Sequence, residues 1–298
     1  MHANQRIRYY SGPAGGWGSV KSLFRNALRS RVRLVTADAL VRQNKPKGFA
    51  CVSCAWAKPA KPHPAEFCEN GAKATFWELT SRRATPEFFS AHTATELRTW
   101  DDHHLEMTGR LTHPLRFNHM SDRYERVDWD EAFREIGREL EKIRAQDPKQ
   151  VVFYASGRAS LEASYMYQLL ARLYGNNNLP DSSNMCHEST SVALPESIGQ
   201  PVGTVRLDDF EHADAIFFFG QNPGSNSLRM LHQLQEASRR GCSIVTFNPL
   251  RERGLERFTN PQSPSEMLTG HETRISERYY PVKAGGDIAA IVGICKSL

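Results

Sequence analysis

The second half of the chain alternates between short apolar runs and segments in which apolar residues recur at helical spacing. The apolar runs at 214–220 (DAIFFFG) and 242–249 (CSIVTFNP) are strand-sized, and residues 227–241 between them predict a helix. Apolar runs without polar alternation are typical of strands that are covered on both faces. The alternation predicts a Rossmann-like α/β domain with a parallel sheet and crossover helices.

The same pattern begins further upstream, at Asp128. This residue can cap a helix over residues 129–146, in which apolar side chains fall at helical spacing. Residues 150–156 (QVVFYAS) predict another buried strand, and residues 160–175 predict a helix that ends at its final glycine. We therefore place an α/β domain over residues 128–298.

The first 127 residues lack this regularity. Residues 1–50 are rich in Gly, Arg and Lys, and we interpret them as an arm lying over other parts of the protein. Residues 51–75 contain three of the six cysteines among several prolines, so regular structure is not expected there. Something else must order this segment, and we assign residues 1–127 to an arm and a small irregular, cysteine-containing domain.

Composition excludes several classes of protein. The chain has 298 residues, of which 40% are hydrophobic and 24% charged, which excludes disorder, collagen and disulfide scaffolds. The net charge of +5 is small and spread along the chain, and no basic helix with interleaved aromatic residues indicates a nucleic-acid partner. No apolar run could span a membrane or serve as a secretory signal. We expect a cytoplasmic chain whose cysteines are thiols or metal ligands.

The first candidate site is the pair Cys51 and Cys54, followed by Cys68. Two thiolates in a C-x-x-C pair can reach one metal or cluster from a tight turn, and a third cysteine can close the site. The alternatives are buried apolar cysteines, a redox pair or a zinc knuckle. The proline-rich surroundings, without core periodicity, favour a metal or a cluster.

The second candidate site is Cys186 with His187 beside it, in a polar stretch that follows a predicted helix. A thiolate next to an imidazole can act as a soft metal ligand with an adjacent acid or base. A packed cysteine without a chemical role is an equal alternative on spacing alone.

Two further candidate segments follow the predicted strands at 214–220 and 242–249. Loops after parallel strands meet at the carboxyl edge of the sheet, where free helix N–H groups and arginines can bind phosphate. Glycines kept for steric reasons and a solvated basic turn are the alternatives, since neither loop carries a standard nucleotide-binding fingerprint. The candidate residues are Gly220, Asn222, Pro223, Gly224 and Asn226 in the first loop and Asn248, Arg251 and Arg253 in the second.

In this order, the motifs resemble the FdhF/YdeP group of molybdopterin oxidoreductases, which are similar to formate dehydrogenase alpha subunits. The segments that carry the resemblance extend over nearly the whole chain: FACVSCAW, FCENGAKA, SGRASLEASY, NNLPDSSNMCHESTSVAL, GQNPGSN, NPLRERGLERFTNPQSPSEML and YYPVKAGGD. The resemblance implies molybdenum held by two molybdopterin guanine dinucleotides, together with a nearby [4Fe-4S] cluster.

The resemblance also implies roles for individual residues. Cys186 matches the ligand of molybdenum, and His187 matches the catalytic histidine after it. The loops at 220–226 and 248–253 match turns that hold the pterin dinucleotide, and a later loop near the same cofactor includes Gly285 and Asp287. The ligands of the cluster would be Cys51, Cys54 and Cys68.

Two positions depart from the pattern of the family. A fourth cluster cysteine would fall at Lys58, so the fourth ligand is missing, exogenous or a non-cysteine group such as His63. The lysine that relays between cluster and pterin would fall at Asn70, with Lys73 nearby as a substitute.

The function that the resemblance implies is oxidation of a small molecule such as formate, with electrons passing from molybdenum through the cluster to an electron-transfer protein. Family members are considerably longer, and the helix predicted from Asp287 reaches the last residue without a stop signal. We therefore expect a truncated fragment, although a short native C-terminal helix would give the same pattern. The alternative function is an inactive remnant that acts as a zinc- or cofactor-binding module.

Overall fold

The computed structural model describes residues 10–30, 33–51, 53–54, 56–157, 159–180 and 182–298, without the side chains of residues 33–36, 182 and 183. The chain divides into two compact units. The α/β unit comprises residues 1–79 and 205–298, and the helical unit comprises residues 80–204. The α/β unit therefore contains both the first three cysteines and the C-terminal strands. The units divide after residues 79 and 204, and the predicted boundary after residue 127 coincides with neither position.

The helices of the described residues are, in chain order, α1 (Gly16–Arg29), α2 (Arg33–Arg42), α3 (Glu69–Glu78), α4 (Pro86–Ala91), α5 (Ala94–Leu97), α6 (Asp102–Glu106), α7 (Trp129–Gln146), α8 (Leu161–Tyr174), α9 (Ser182–Cys186), α10 (Glu188–Ile198), α11 (Pro223–Asn226), α12 (Met230–Arg240), α13 (Arg253–Glu256), α14 (Pro264–Thr269) and α15 (Asp287–Ser297). The strands are β1 (Ala14–Gly15), β2 (Arg83–Ala84), β3 (Arg110–Leu111), β4 (Leu115–Asn118), β5 (Arg123–Arg126), β6 (Ala215–Phe219), β7 (Ser243–Phe247), β8 (Arg257–Thr259), β9 (Thr273–Arg274) and β10 (Arg278–Tyr280).

The parallel sheet of the α/β unit has the strand order β10-β7-β6. Both pairings are parallel, with Phe219 and Tyr280 on either side of Phe247. The prediction of a parallel sheet with a crossover helix is confirmed, since α12 links β6 to β7. Leu231 and Leu234 of this helix pack with Ile244 in the core, and each is at most 1% exposed.

The N-terminal arm is more regular than we predicted, because it contains α1 and α2. In α1, Trp17, Val20 and Phe24 recur at intervals of three and four, a helical spacing that the glycine-rich start obscures. The arm does lie on another part of its unit: Ala14 of β1 pairs in parallel with Phe258 of β8.

The helical unit confirms two predicted helices and corrects one predicted strand. α7 follows Asp128, and α8 ends at the C-cap residue Gly175. Residues 150–156 form no strand, because only Phe153 is buried and its N–H donates to the carbonyl of Asn178 in a nearby loop. An apolar run alone does not distinguish such a segment from a strand of the sheet.

In the part of the chain that the structure describes, no helix is both long and apolar enough to cross a lipid bilayer. The helix predicted from Asp287 is present as α15, which spans 11 residues.

Candidate functional site

A cleft of about 630 Å³ opens in the α/β unit at the carboxyl edge of the parallel sheet. The loops after β6 and β7 line one part of this cleft, through residues that include Gly224 and Arg253. The N-terminal arm and the segment around Cys68 line the remainder. The fold thus brings four separate segments of the chain to one concave site.

The loops after β6 and β7 touch each other through two glycines. A Cβ atom added to Gly254 would lie 2.6 Å from the Cα atom of Gly224, and one added to Gly224 would lie 3.0 Å from the Cα atom of Gly254. The side-chain amide of Asn248 also donates a hydrogen bond of 3.0 Å to the carbonyl of Gln221. Glycine at both positions permits this close approach, so the two loops form one continuous rim.

The predicted binding loop after β6 is a short helical turn. α11 occupies Pro223–Asn226, and the longer helix α12 starts at Met230 rather than near Ser227 as we expected. The side chain of Asn222 donates to the hydroxyl of Ser225 over 3.1 Å. Asn222 therefore helps to hold the shape of its own turn.

Arg251 and Arg253 lie on the rim as predicted, but they share a carboxylate that the sequence analysis did not consider. Glu256 is 3.5 Å from the guanidinium of Arg251 and 2.7 Å from that of Arg253. Arg251 also stacks over Tyr279, with 5.5 Å from its guanidinium carbon to the ring centroid. A bound phosphate would have to compete with Glu256 for both arginines.

The loop after β10 reaches the same edge of the sheet, because β10 is parallel to β7. The backbone N–H of Asn248 donates to the carbonyl of Tyr280, the last residue of β10. Gly285 and Asp287 follow in this loop and at the start of α15, and the Oδ1 atom of Asp287 is buried without a hydrogen-bond partner among the described residues. All three predicted cofactor loops therefore emerge at one edge.

Cys51, Cys54 and Cys68 lie in one region of the α/β unit. A Cβ atom added to Gly71 would lie 2.8 Å from the Sγ atom of Cys51 and 3.7 Å from that of Cys68. Burial raises the pKa of the Cys68 thiol, and the nearby Cys54 and Cys51 raise it further, against a hydrogen bond from the N–H of Gly71 that lowers it. The sulfur of Cys68 accepts this bond over 3.4 Å as the N-cap of α3.

These sulfurs are near one another without forming a finished metal site. Among the residues that the structure describes, no three His, Cys, Asp or Glu side chains have an arrangement that could hold a metal ion. His63, a predicted fourth ligand, accepts a hydrogen bond from the N–H of Ala65 at its Nδ1 atom. It lines the same cleft as Cys68, and its role as a ligand stays a prediction.

Asn70 and Lys73, the two candidates for a link between cluster and pterin, have different contacts. Asn70 donates a hydrogen bond of 2.6 Å to the carbonyl of Ser225 in the loop after β6. Lys73 forms an ion pair of 2.5 Å with Glu69 instead. Burial raises the pKa of Glu69, but hydrogen bonds from Lys73 and Ser19 outweigh it and hold that pKa below its ordinary value. Of these two candidates, Asn70 therefore joins the cysteine region to the loop after β6.

A buried ion pair that the sequence analysis missed fixes the segment between Cys54 and Cys68. Arg229, just before α12, pairs with Glu66, and the side chains are 9% and 12% exposed. Arg229 also donates to the carbonyl of Trp56 over 3.2 Å, and Glu66 accepts from the N–H of His63 over 2.8 Å. No local pattern reveals this pair, because its members are 163 positions apart.

Cys186 and His187 belong to the helical unit. Cys186 is the last residue of α9 and is exposed, and His187 occupies the N-cap position of α10. The neighbouring Asn184 donates to Glu188 over 2.7 Å, which links the two helices. Cys186 and His187 lie at the short polar connection between α9 and α10. Their roles as metal ligand and catalytic histidine stay predictions.

Comparison with protein families identifies this architecture. The family described as Molybdopterin oxidoreductase matches residues 110–262, just over half of the chain. The chain belongs to the molybdopterin oxidoreductase family. The matched range includes Cys186 and the loops after β6 and β7, whereas Cys51, Cys54 and Cys68 lie outside it. Membership implies a pterin cofactor that carries molybdenum or tungsten.

Individual relatives of the family agree with this assignment. Protein YdeP of Escherichia coli is 49% identical over 295 residues, which are 99% of this chain and 38% of that protein. An uncharacterized oxidoreductase of Mycobacterium tuberculosis is 43% identical over 96% of this chain and 36% of its own length. The alpha subunit of a formate dehydrogenase of Methanococcus maripaludis is 30% identical over 41% of this chain and 18% of its own length. The chain thus spans less than two fifths of its curated relatives.

Proposed function

We propose that this chain is the cofactor-binding part of a molybdopterin-dependent oxidoreductase that oxidises a small molecule. The observation that carries the proposal is that the loops after β6 and β7 meet at one edge of the parallel sheet and line a cleft with Cys68, while the loop after β10 emerges at the same edge. Ligands of open α/β sheets bind at this edge. The chain's membership of the family then identifies the ligand class as a pterin cofactor.

The size and the lining of the cleft support the proposal of a pterin dinucleotide. Its volume of about 630 Å³ is within the range of small-molecule sites, roughly 300–1,000 Å³. Gly224 and Gly254 let the two loops meet in one rim, and Arg251 and Arg253 supply positive charge for a diphosphate. We propose the guanine dinucleotide form, as the resemblance to formate dehydrogenases implies.

When bound, the cofactor supplies two-electron redox chemistry at its metal. In our proposal the Cys186 thiolate would be a ligand of this metal. His187 is adjacent to it in sequence, and its imidazole would accept the proton released from the substrate. Formate is the first substrate to test, because a formate dehydrogenase subunit is among the relatives. The acceptor would be an electron-transfer protein, and the proposed compartment is the cytoplasm.

The cysteine region is where the resemblance implies a metal–sulfur group. The three thiols lie near one another but form no metal site among the described residues, and a Cβ atom at Gly71 would already meet the Cys51 sulfur at 2.8 Å. A cluster would therefore require these side chains to move apart. We propose that Cys51, Cys54 and Cys68 hold an iron–sulfur cluster of the [4Fe-4S] type, whose fourth iron takes His63 or an exogenous ligand. Asn70, which contacts the loop after β6, would connect the cluster region to the pterin.

Metal and pterin analysis of anaerobically purified protein tests the proposal. We expect molybdenum or tungsten, a pterin nucleotide and iron in this chain and in a longer form that includes the remaining length of the relatives. The variant Cys186→Ala should lose turnover in the longer form and keep its fold. Zinc alone, without pterin or iron, would contradict the proposal and support a zinc-binding module.

A further inference from the structure

The N-terminal arm concentrates the positive charge of the chain. Residues 1–37 contain seven Lys and Arg and no Asp or Glu, whereas the rest of the chain contains 31 Lys and Arg against 33 Asp and Glu. The arm alone therefore carries a charge of +7, and the remainder carries −2. The expectation that the charge is spread along the chain is wrong. Such an asymmetry indicates that the arm meets an anionic partner.

Helix α1 displays part of this charge on an exposed face. Trp17, Lys21, Phe24 and Leu28 recur at intervals of four, three and four residues, so they lie along one side of the helix. All four side chains are exposed, and the three apolar ones are 57%, 64% and 42% exposed. Arg25, also exposed, lies one turn after Lys21. The helix has no acidic residue of its own, so neither charge is neutralised within it.

Another face of α1 lines the cleft that we assign to the cofactor. Ser19, Val20 and Leu23 are among the residues that surround this cleft. The hydroxyl of Ser19 also donates to the carboxylate of Glu69 at the start of α3, over 2.5 Å. An α-helix with its side chains is about 10–12 Å in diameter. A partner on the exposed face would therefore lie about one helix diameter from the cofactor cleft.

The exposed face has the composition of a protein interface. The indole N–H of Trp17 donates to the carbonyl of Met267 over 3.0 Å, so this exposed ring is already held in place and loses little freedom on binding. Its three apolar side chains form a centre that Lys21 and Arg25 flank, as in interfaces with an apolar core and a polar rim. A helix that binds a membrane surface would instead separate its apolar and basic residues onto different faces.

We propose that the exposed face of α1 is the docking surface for an acidic electron-transfer protein, the acceptor in our proposed function. The inference rests on that function for the role of the partner, and on the charge and exposure of α1 for the surface. Carboxylates of the partner pair with Lys21 and Arg25, and its apolar surface covers Trp17, Phe24 and Leu28. Transient electron-transfer complexes bury less than about 1,200 Å² in total, so a surface centred on one helix face is sufficient.

The test measures the binding of an acidic plant-type ferredoxin to the anaerobically purified chain by biolayer interferometry, at low and at physiological ionic strength. The parent should bind. The double variant Lys21→Glu with Arg25→Glu should bind about tenfold more weakly, chiefly through slower association, because the reversed charges repel the partner. Phe24→Ser should instead dissociate faster at both ionic strengths. Circular dichroism and pterin content should stay as in the parent.

The matched control is the double variant Arg134→Glu with Arg138→Glu. Both arginines are exposed on α7 and four residues apart, so this variant has the same spacing and the same change of net charge. It should bind ferredoxin like the parent. An equal loss of binding in both double variants would show a response to net charge alone, and that result would overturn the inference.

Two other probes test the rival partners with the same variants. Vesicles of phosphatidylserine present an anionic membrane, and a DNA duplex presents an anionic nucleic acid. If either binds more tightly than ferredoxin and loses this binding in the α1 variant, the protein partner is overturned. A chain that contains pterin but does not bind ferredoxin would overturn the inference and leave the proposed function standing. Ferredoxin binding through α1 in a chain without pterin would support the docking surface and overturn the proposed cofactor.

Discussion

The parallel sheet and the cysteine segment (residues 51–68) belong to one compact unit, but different interactions hold them. The sheet is fixed by apolar side chains such as Leu234 and Ile244, both 0% exposed. The cysteine segment lacks regular structure in its described part, and polar groups fix it. These include the Arg229–Glu66 pair and two hydrogen bonds from Gln262, 2.6 Å to the carbonyl of Ala65 and 3.0 Å to that of Phe67.

This difference follows from what each region has to do. Apolar burial is not directional, so it stabilises a scaffold without setting the positions of individual atoms. Buried hydrogen bonds and ion pairs set distances, at the risk of unmatched polar groups such as Gln43. The sheet supports the loops at its carboxyl edge, and the polar contacts set the positions of the cysteine segment. The following predictions test this contrast, from the largest expected effect to the smallest.

Arg229→Ala should have the largest effect. It leaves the carboxylate of Glu66 buried without its partner, which costs about 3–5 kcal/mol for a buried pair. Denaturant unfolding gives the global loss, and hydrogen exchange should show faster opening in residues 56–67 than in β6 and β7. The double variant Arg229→Met with Glu66→Met is the control, since it should recover much of the stability. Uniform opening of both regions would contradict the contrast.

Leu234→Ala should destabilise the sheet instead. Removal of a fully buried leucine costs about 2–5 kcal/mol, because a cavity remains in the core. Hydrogen exchange should now accelerate in β6 and β7 as well as in the cysteine segment, which rests on this scaffold. Leu268→Ala, at a position that is 85% exposed, is the matched control with an expected change below about 0.5 kcal/mol.

Gly254→Ala should separate the two cofactor loops. The new Cβ atom would meet the backbone of Gly224 at 2.6 Å, and overpacking of this kind costs about 1–3 kcal/mol. The amount of pterin bound per folded protein should fall, which a loss of folding free energy alone would not cause. Gly137→Ala, where nothing lies within 4 Å, should instead stabilise α7 by up to about 1 kcal/mol. Full pterin content in Gly254→Ala would argue against the rim as the binding site.

The smallest effect is expected from the charges on the rim. Arg251 is largely exposed, so its contact with Glu256 contributes only about 0–1 kcal/mol to stability. Arg251→Ala should therefore leave unfolding nearly unchanged and lower cofactor retention. Glu256→Gln should raise retention, because it releases both arginines for a diphosphate. Lower retention in Glu256→Gln would show that the carboxylate positions the arginines rather than competing for them.

The sequence predicted the elements that depend on local patterns. β6, β7, α7, α8, α12 and α15 follow from apolar periodicity and from capping residues. Residues 150–156 have the same apolar character as a strand, but their partner is a loop, which periodicity does not encode. In α1, Trp17 and Phe24 follow a helical pattern that a glycine-rich start concealed.

The sequence predicted those parts of the candidate site whose positions follow from the order of strands and helices. Parallel strands place their following loops at one edge, so the meeting of Asn222, Gly224, Arg251 and Arg253 could be inferred from the order of strands and helices along the chain. Arg229 could not be found in this way. Its partner Glu66 is 163 positions away, and no motif at either position signals the pair. Glu256 lies three residues after Arg253, so its ion pair has an ordinary helical spacing that the sequence analysis did not use.

The central claim is that the three loops at the carboxyl edge of the sheet bind the pterin cofactor. Hydrogen exchange of cofactor-loaded and cofactor-free protein tests it most directly. The claim predicts that bound cofactor slows exchange in residues 220–226, 248–254 and 281–287 together. Exchange in α14 should be the same in the loaded and the cofactor-free protein. Slower exchange elsewhere in the chain, with these three loops unchanged, would contradict it.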